Sequence, residues 1–325
     1  MYDELSARLR RSATRLGVEL CWAQWVGLGS WARPGELGPA RSIVDVEALI
    51  LSSLHLSAEE RRLGDLVAWW ASVGSHLTSV QRLRSVAEGL PGDAGEEALG
   101  RFAALATTAG DRRWARHAAT ERPAGAVRER KGPDTVELLE PAALWPRLRA
   151  GFGVGAKADV LTVLLGLDGG WATVSRLAFA TGYSEVAVGR AAGEMAVARL
   201  LRSIEGRPVE YQAPPKPWGE LLELGASQYG PAVRPGGSGW PAWRPWSHLL
   251  AFLARTLQWC EAVEADATSA PGLASRARDI GEAAEAAFLL AGVPAPPLDA
   301  FRGREAPGLL VEMVEALGAW AREAV

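Results

Sequence analysis

A lysine that follows three alternating glycines is the first feature of this sequence that suggests chemistry. The stretch GFGVGAKAD, residues 151–159, could form a loop that wraps a phosphate. A nucleotide-binding phosphate loop ends in Gly-Lys and then a Ser or Thr that ligates magnesium. Here Ala156 precedes Lys157, Ala158 follows it, and no strand is predicted before the loop. We therefore expect one helix to stop at the glycines and another to begin near Ala156.

Residues suited to metal binding or nucleophilic catalysis are not spaced for either chemistry. The four histidines are scattered singly, and neither Cys21 nor Cys260 has a second cysteine or a histidine at ligand spacing. We predict two buried thiols, no metal site, no cofactor and no enzymatic activity. The tryptophans could stack on nucleic-acid bases, but we favour core and interface anchors.

Charge is distributed unevenly along a chain whose net charge of -3 is close to neutral. Basic residues exceed acidic ones between Arg101 and Lys157, whereas acidic residues dominate from Glu261 onward. A polyanion is repelled by an acidic surface. If the protein binds one, we expect the middle of the chain to do so.

The segment from Thr173 to Leu201 has the pattern of two short helices joined by a tight turn. Such a turn needs a small residue where the helices approach, a residue that tolerates positive φ, and an apolar residue that holds the second helix. Ala178, Gly182 and Val188 supply these at suitable spacing. Just after the turn, Ser184 can cap the second helix, with Glu185 in its first turn. The stretch RSIEGRPVEYQ, residues 202–212, then alternates around a turn signal and predicts two short strands.

In this order, helix, turn, helix and hairpin, the segment resembles the winged helix-turn-helix of bacterial transcription regulators of the MarR and ArsR type. The match covers roughly residues 155–212. The resemblance implies that the second helix enters the major groove of DNA while the hairpin, or wing, contacts the adjacent backbone.

The resemblance also implies a set of DNA-binding residues. The groove-facing positions would be Ser184, Glu185, Val186, Gly189, Arg190 and Gly193. Arg190 could bind a guanine edge with two hydrogen bonds. The candidates for phosphate contacts are Lys157, Arg176, Arg199, Arg202 and Arg207. The helix departs from the usual pattern, because two glycines and an acidic residue replace polar or basic ones.

Two functions remain open at this stage. The first is a sequence-specific transcriptional regulator that binds double-stranded DNA as a homodimer assembled through the flanking helices. The alternative is a protein-interaction module, of the antitoxin or phage-defence adaptor kind, whose winged helix contacts a protein partner. The glycine-rich, weakly basic second helix motivates this alternative.

The predicted fold is mainly α, with a central winged helix domain and a small β-hairpin wing between N-terminal and C-terminal helical domains. The predicted boundaries are an N-terminal helical domain at 1–120, a linker at 121–140, the winged helix domain at 141–212, a connector rich in Pro, Gly and Trp at 213–246, and a C-terminal helical domain at 247–325. The connector is expected to contain no regular helix. The charged start of the chain and the absence of a long apolar run predict a cytoplasmic protein without membrane contact.

Overall fold

A computed structural model describes residues 2–33, 35–119, 132–204, 206–222, 239–266 and 268–325. The predicted fold class is confirmed at the level of its composition. Helices dominate the described residues, and the strands form one small antiparallel sheet.

The first part of the chain folds into five α-helices with short 3-10 turns between them. Several helices begin at a side-chain cap: Asp45 accepts a hydrogen bond from the amide of Ala48, and Ser79 accepts one from the amide of Arg82. The helices are α1 (Asp3–Gly27), α2 (Val46–His55), α3 (Arg61–Val73), α4 (Val80–Ala87) and α5 (Ala94–Thr108).

The middle of the chain contains shorter helices and all of the described strands. As expected, one helix ends at the glycines after Phe152 and the next begins at Ala156. The elements in chain order are α6 (Leu144–Phe152), α7 (Ala156–Gly166), β1 (Ala172–Thr173), α8 (Val174–Thr181), α9 (Glu185–Val197), β2 (Arg202–Ile204), β3 (Glu210–Gln212) and α10 (Pro215–Leu221).

The sheet has the order β1-β3-β2, with both pairings antiparallel. The predicted hairpin is present as β2 and β3, and Ser203 lies opposite Tyr211. Tyr211 also pairs with Ala172 of β1, a strand that the sequence did not predict. With only two residues, β1 is too short to show a periodic pattern, and it exists because β3 offers it a partner.

The C-terminal segment, which the sequence predicted to be helical, contains three long helices. They are α11 (Trp246–Glu264), α12 (Ala270–Ala291) and α13 (Ala306–Ala324). The first helix of the protein packs against two of them, since α1 contacts both α11 and α13. The N-terminal and C-terminal helical segments therefore share one hydrophobic core, which includes Trp25, Trp70 and Trp259. We call this part the terminal-helix body.

A second core belongs to the elements between α6 and Trp243, which we call the central unit, and Ile43 from the loop before α2 packs into it. Leu161, Leu164, Leu177 and Val188 are buried at its centre. Backbone hydrogen bonds join the central unit to the body: the amide of Ile43 donates to the carbonyl of Ala242 at 2.9 Å. The domain boundaries given by the sequence remain a prediction.

One expectation about the connector was wrong. Residues 213–246 contain a regular helix, α10, which begins at Pro215. Proline is tolerated there because the first amides of a helix have no partner within the helix and the proline ring already fixes a helical φ. The tryptophans of this segment are buried as expected, including Trp218 and Trp243. Residues 223–238 of the connector and 120–131, which contain most of the predicted linker, lie outside the described residues.

Candidate nucleic-acid interface

The turn between α8 and α9 is held by the residues that the sequence singled out. Gly182 ends α8 in the left-handed conformation with φ of 71°, which a residue with a Cβ atom adopts only at a cost. The side chain of Ser184 then accepts a hydrogen bond from the amide of Ala187 and caps α9. The predicted turn and cap are confirmed.

The inner face of α9 is packed against the core of the central unit. Val188, Ala192 and Met195 are buried, and Leu177 of α8 is buried with them. These residues recur at helical spacing, so the opposite face of α9 is turned outward. The packing fixes which side chains a partner can reach.

The outward face of α9 carries residues of mixed chemistry. Glu185, Val186, Arg190, Glu194 and Val197 are exposed. Val186 and Val197 are 74% and 87% exposed, so this face presents apolar area as well as charge. The structure thus places the predicted groove-facing residues together on one accessible helix.

Two glycines, Gly189 and Gly193, interrupt this face, and the fold itself does not require them. A Cβ atom added at Gly189 would lie 3.8 Å from Val174, and one added at Gly193 would lie 3.9 Å from the hydroxyl of Tyr211. Both distances are ordinary van der Waals contacts. The two positions therefore have room for alanine, which a helix would prefer.

Three of the five predicted phosphate-contacting residues lie beyond the C-terminal end of α9. Arg199 has a positive φ of 58° and is exposed. Arg202 of β2 and Arg207 of the β2–β3 turn are also exposed. In the part of the chain that the structure describes, no carboxylate forms a salt bridge with any of these arginines. We call the exposed residues of α9 together with Arg199, Arg202 and Arg207 the α9 surface.

Lys157 and Arg176, the other two predicted phosphate contacts, lie in different surroundings. The ammonium group of Lys157, at the start of α7, is 2.7 Å from a carboxylate oxygen of Glu194. The hydrogen bond from Lys157 lowers the pKa of Glu194, and the charge of Arg190 contributes in the same direction. Arg176 is half-buried on α8, and its buried Nε has no hydrogen-bond partner among the described residues.

The sequence did not reveal a buried ionic cluster where the terminal-helix body meets the central unit. Arg82 forms two hydrogen bonds of 2.6 Å with Asp45 and one of 2.8 Å with Glu47. Arg149 donates to Asp159 at 2.7 and 2.8 Å and to Glu47 at 2.6 Å. All five side chains are buried. Isolated carboxylates within apolar runs, as in VDVEALIL and AKADVLTVLL, are the signal that could have indicated the three buried acids.

Mutual attraction stabilises the charged form of every group in this cluster whose pKa shift is resolved. Desolvation by burial raises the pKa of Glu47, but the combined effect of Arg149 and Arg82 is larger and leaves that pKa below its usual value. Burial lowers the pKa of Arg82, yet Asp45 and Glu47 together hold it above its usual value. The cluster is a fully paired junction, and its arginines are not available to a nucleic acid.

The described residues contain no group of three or more His, Cys, Asp or Glu side chains that could hold a metal ion. Within the same residues, no helix is both long and apolar enough to cross a membrane. Both cysteines are buried free thiols, as the sequence predicted. Comparison of the chain with protein-family models, with curated proteins and with solved structures finds no match.

Proposed function

We propose that residues 141–212 contain a winged helix domain, with its winged helix-turn-helix at about 155–212, that binds double-stranded DNA in a sequence-specific manner and thereby regulates transcription. The observation that carries this proposal is the α9 surface: an exposed, capped helix followed by a two-stranded hairpin whose arginines form no salt bridge with any carboxylate that the structure describes. The element order α7, β1, α8, α9, β2, β3 and the sheet order β1-β3-β2 support it.

The roles of individual residues follow from their positions. In this arrangement α9 lies in the major groove and the hairpin lies along the neighbouring backbone. Arg190, on the exposed face of α9, would read a guanine edge, and a good bidentate contact of this kind contributes about 1–3 kcal/mol of discrimination. Arg199, Arg202 and Arg207 would neutralise phosphates, which provides affinity without sequence information.

A titration of DNA binding against salt tests the proposal. We expect the full chain to select a DNA site from a random pool, with an affinity that falls steeply as salt rises, because each neutralised phosphate releases counterions. The double variant Arg190→Ala/Arg207→Ala should bind DNA more weakly. Its slope of log affinity against log salt concentration should also fall, by the amount expected for about one to two phosphate contacts. Arg8→Ala/Arg11→Ala is the matched control, since both of these arginines are exposed on α1 in the terminal-helix body. Equal affinity in the two double variants would remove the α9 surface from DNA binding.

A protein partner is the second candidate, and the exposed valines of α9 favour it. Val186 and Val197 present apolar area that a nucleic acid does not need, whereas the centres of protein interfaces are depleted in charge. If α9 binds a protein, Val186→Ser/Val197→Ser abolishes its capture from the native host and Arg190→Ala/Arg207→Ala has a small effect. For a DNA-binding surface we expect the opposite order.

A further inference from the structure

A cleft lies next to the turn that precedes α9, between the terminal-helix body and the central unit. Its volume is about 100 Å³. One wall is Phe179 of α8 together with Gly182 of the turn, and the others come from α4, α11 and α12. A Cβ atom added at Gly182 would be in ordinary van der Waals contact, at 3.6 Å, with the Cβ of Ser85. The turn therefore rests directly on the wall of the cleft.

The lining of the cleft divides into a polar part and an apolar part. The polar part consists of Ser85, Ser247, His248 and Arg255, and the apolar part includes Phe252 and Ile280. A ligand that suits both parts has one polar end and one apolar end.

The charge at the polar end is positive. Arg255 donates a hydrogen bond of 2.9 Å to the carbonyl of Gly89, and no carboxylate pairs with it among the described residues. Glu282, which is next to the lining residue Ala283 in sequence, is held by Arg278 at 2.7 Å. The guanidinium of Arg255 thus keeps donors for an anion, and hydrogen bonds between charged groups are the strong ones.

His248 links the cleft to α8. Its ring stacks on the ring of Phe179, with centroids 3.9 Å apart and an angle of 2° between the planes. The Nε2 atom lies 3.2 Å from the carbonyl oxygen of Phe179, so this nitrogen carries the proton and donates it. Burial lowers the pKa of His248, and the positive charges of Arg82 and Arg255 lower it further. The hydrogen bond to Phe179 and the charge of Asp45 raise this pKa but leave it below its usual value. The ring is therefore neutral near pH 7, and Arg255 supplies the charge.

We propose that this cleft binds a small aliphatic carboxylate and that its occupancy changes the position of the turn before α9. An apolar cavity of about 150 Å³ holds benzene, so about 100 Å³ accommodates an apolar body of roughly four carbons. The carboxylate pairs with Arg255, and the apolar body lies against Phe252 and Ile280. The proposed ligand site is argued from the cleft alone. The effect of the bound ligand on DNA binding rests on the proposed function.

Calorimetric titration of pentanoate into the full chain tests the ligand site without DNA. We expect saturable binding below about 50 mM, as suits so small a ligand, with 1-pentanol and pentylammonium at least about ten-fold weaker because they lack the anionic end. Arg255→Gln should weaken pentanoate binding by about ten-fold or more. Failure of pentanoate to saturate, or equal affinity for the alcohol, would overturn the proposal.

A variant that obstructs the cleft provides a test that does not depend on removing a charge. Ala283 is exposed at the cleft and Ala286 is exposed on the same helix outside it. We expect Ala283→Leu to abolish pentanoate binding and Ala286→Leu to leave it unchanged, with the two variants equally stable. Equal pentanoate binding by both variants would place the ligand elsewhere and contradict the site.

The effect on DNA is measured separately, by repeating the DNA titration at saturating pentanoate. A change in DNA affinity that Ala283→Leu prevents and Ala286→Leu preserves supports the coupling. If pentanoate binds while no DNA is bound, the ligand site stands and the proposed function fails. If DNA binds but pentanoate does not, the proposed function stands and the inference is wrong. DNA affinity that is indifferent to bound pentanoate rejects the coupling alone.

Discussion

Arginine has two opposite roles in this protein, in the ionic cluster at the junction and on the α9 surface. Arg82 and Arg149 are fully buried, and carboxylates surround both. Arg190 and Arg207 are exposed, and neither forms a salt bridge with a carboxylate in the described part of the chain. A buried charge must be paired because it has lost its hydration. An exposed charge without a partner costs the fold little and can serve a ligand.

The largest effect should come from removing one cation of the junction. In Arg149→Met, Glu47 and Asp159 would lose a partner while remaining buried, and breaking such a pair costs about 3–5 kcal/mol. Chemical denaturation measures this change. Arg190→Met, the matched change on the α9 surface, should shift the free energy of unfolding by no more than about 0.5 kcal/mol. Comparable losses in the two variants would break the distinction between the regions.

Substitution of glycine by alanine compares a closely packed position with the α9 surface. Gly166 lies at the end of α7, where an added Cβ would be 2.5 Å from the Cβ of Trp243. We expect Gly166→Ala to destabilise the protein by about 1–3 kcal/mol, the usual cost of overpacking. Thermal unfolding checks this value, and an unchanged midpoint would mean that the contact between α7 and Trp243 is loose.

The same substitution on α9 should have the opposite effect on the free energy of unfolding. Gly189→Ala and Gly193→Ala meet no close atom, so each should stabilise α9 by up to about 1 kcal/mol, the difference in helix propensity. If a DNA backbone or a protein approaches α9 closely at these glycines, the same variants lose affinity while gaining stability. Unchanged affinity would show that both glycines are dispensable for binding as well as for folding.

A smaller effect is expected in the pH dependence of stability, because His248 titrates at the contact between α8 and α11. Burial keeps the pKa of His248 below its usual value of 6.5. The unfolded chain therefore binds the proton first, and the contribution of His248 to stability is present above pH 6.5 and declines as pH falls through the lowered pKa. NMR titration of the imidazole measures the folded pKa directly. His248→Gln should make the stability less sensitive to pH below 6.5, and an unaltered pH dependence would contradict this assignment.

Local features could be predicted from the sequence because neighbouring residues determine them. The turn at Gly182, the cap at Ser184 and the β2–β3 hairpin each depend on a few consecutive positions. The shape of the connector was harder, because the sequence showed many prolines but not that Pro215 would be the first residue of a helix.

The junction could not be predicted for a different reason. Glu47 and Arg149 are 102 positions apart in the chain, so neither one indicates the other without the tertiary fold. The same holds for the shared core, in which α1 meets α11 and α13. Hydrophobic periodicity shows which face of a helix is buried but not which helix covers it.

The order in which the chain is synthesised gives the shared core a further consequence. A ribosome releases α1 long before α11 and α13, the helices that cover it, so the terminal-helix body cannot complete its core until both of these helices have been synthesised. The central unit has its own core and can assemble before α11 and α13 cover α1. The α9 surface can therefore form before α1 is covered by its partner helices.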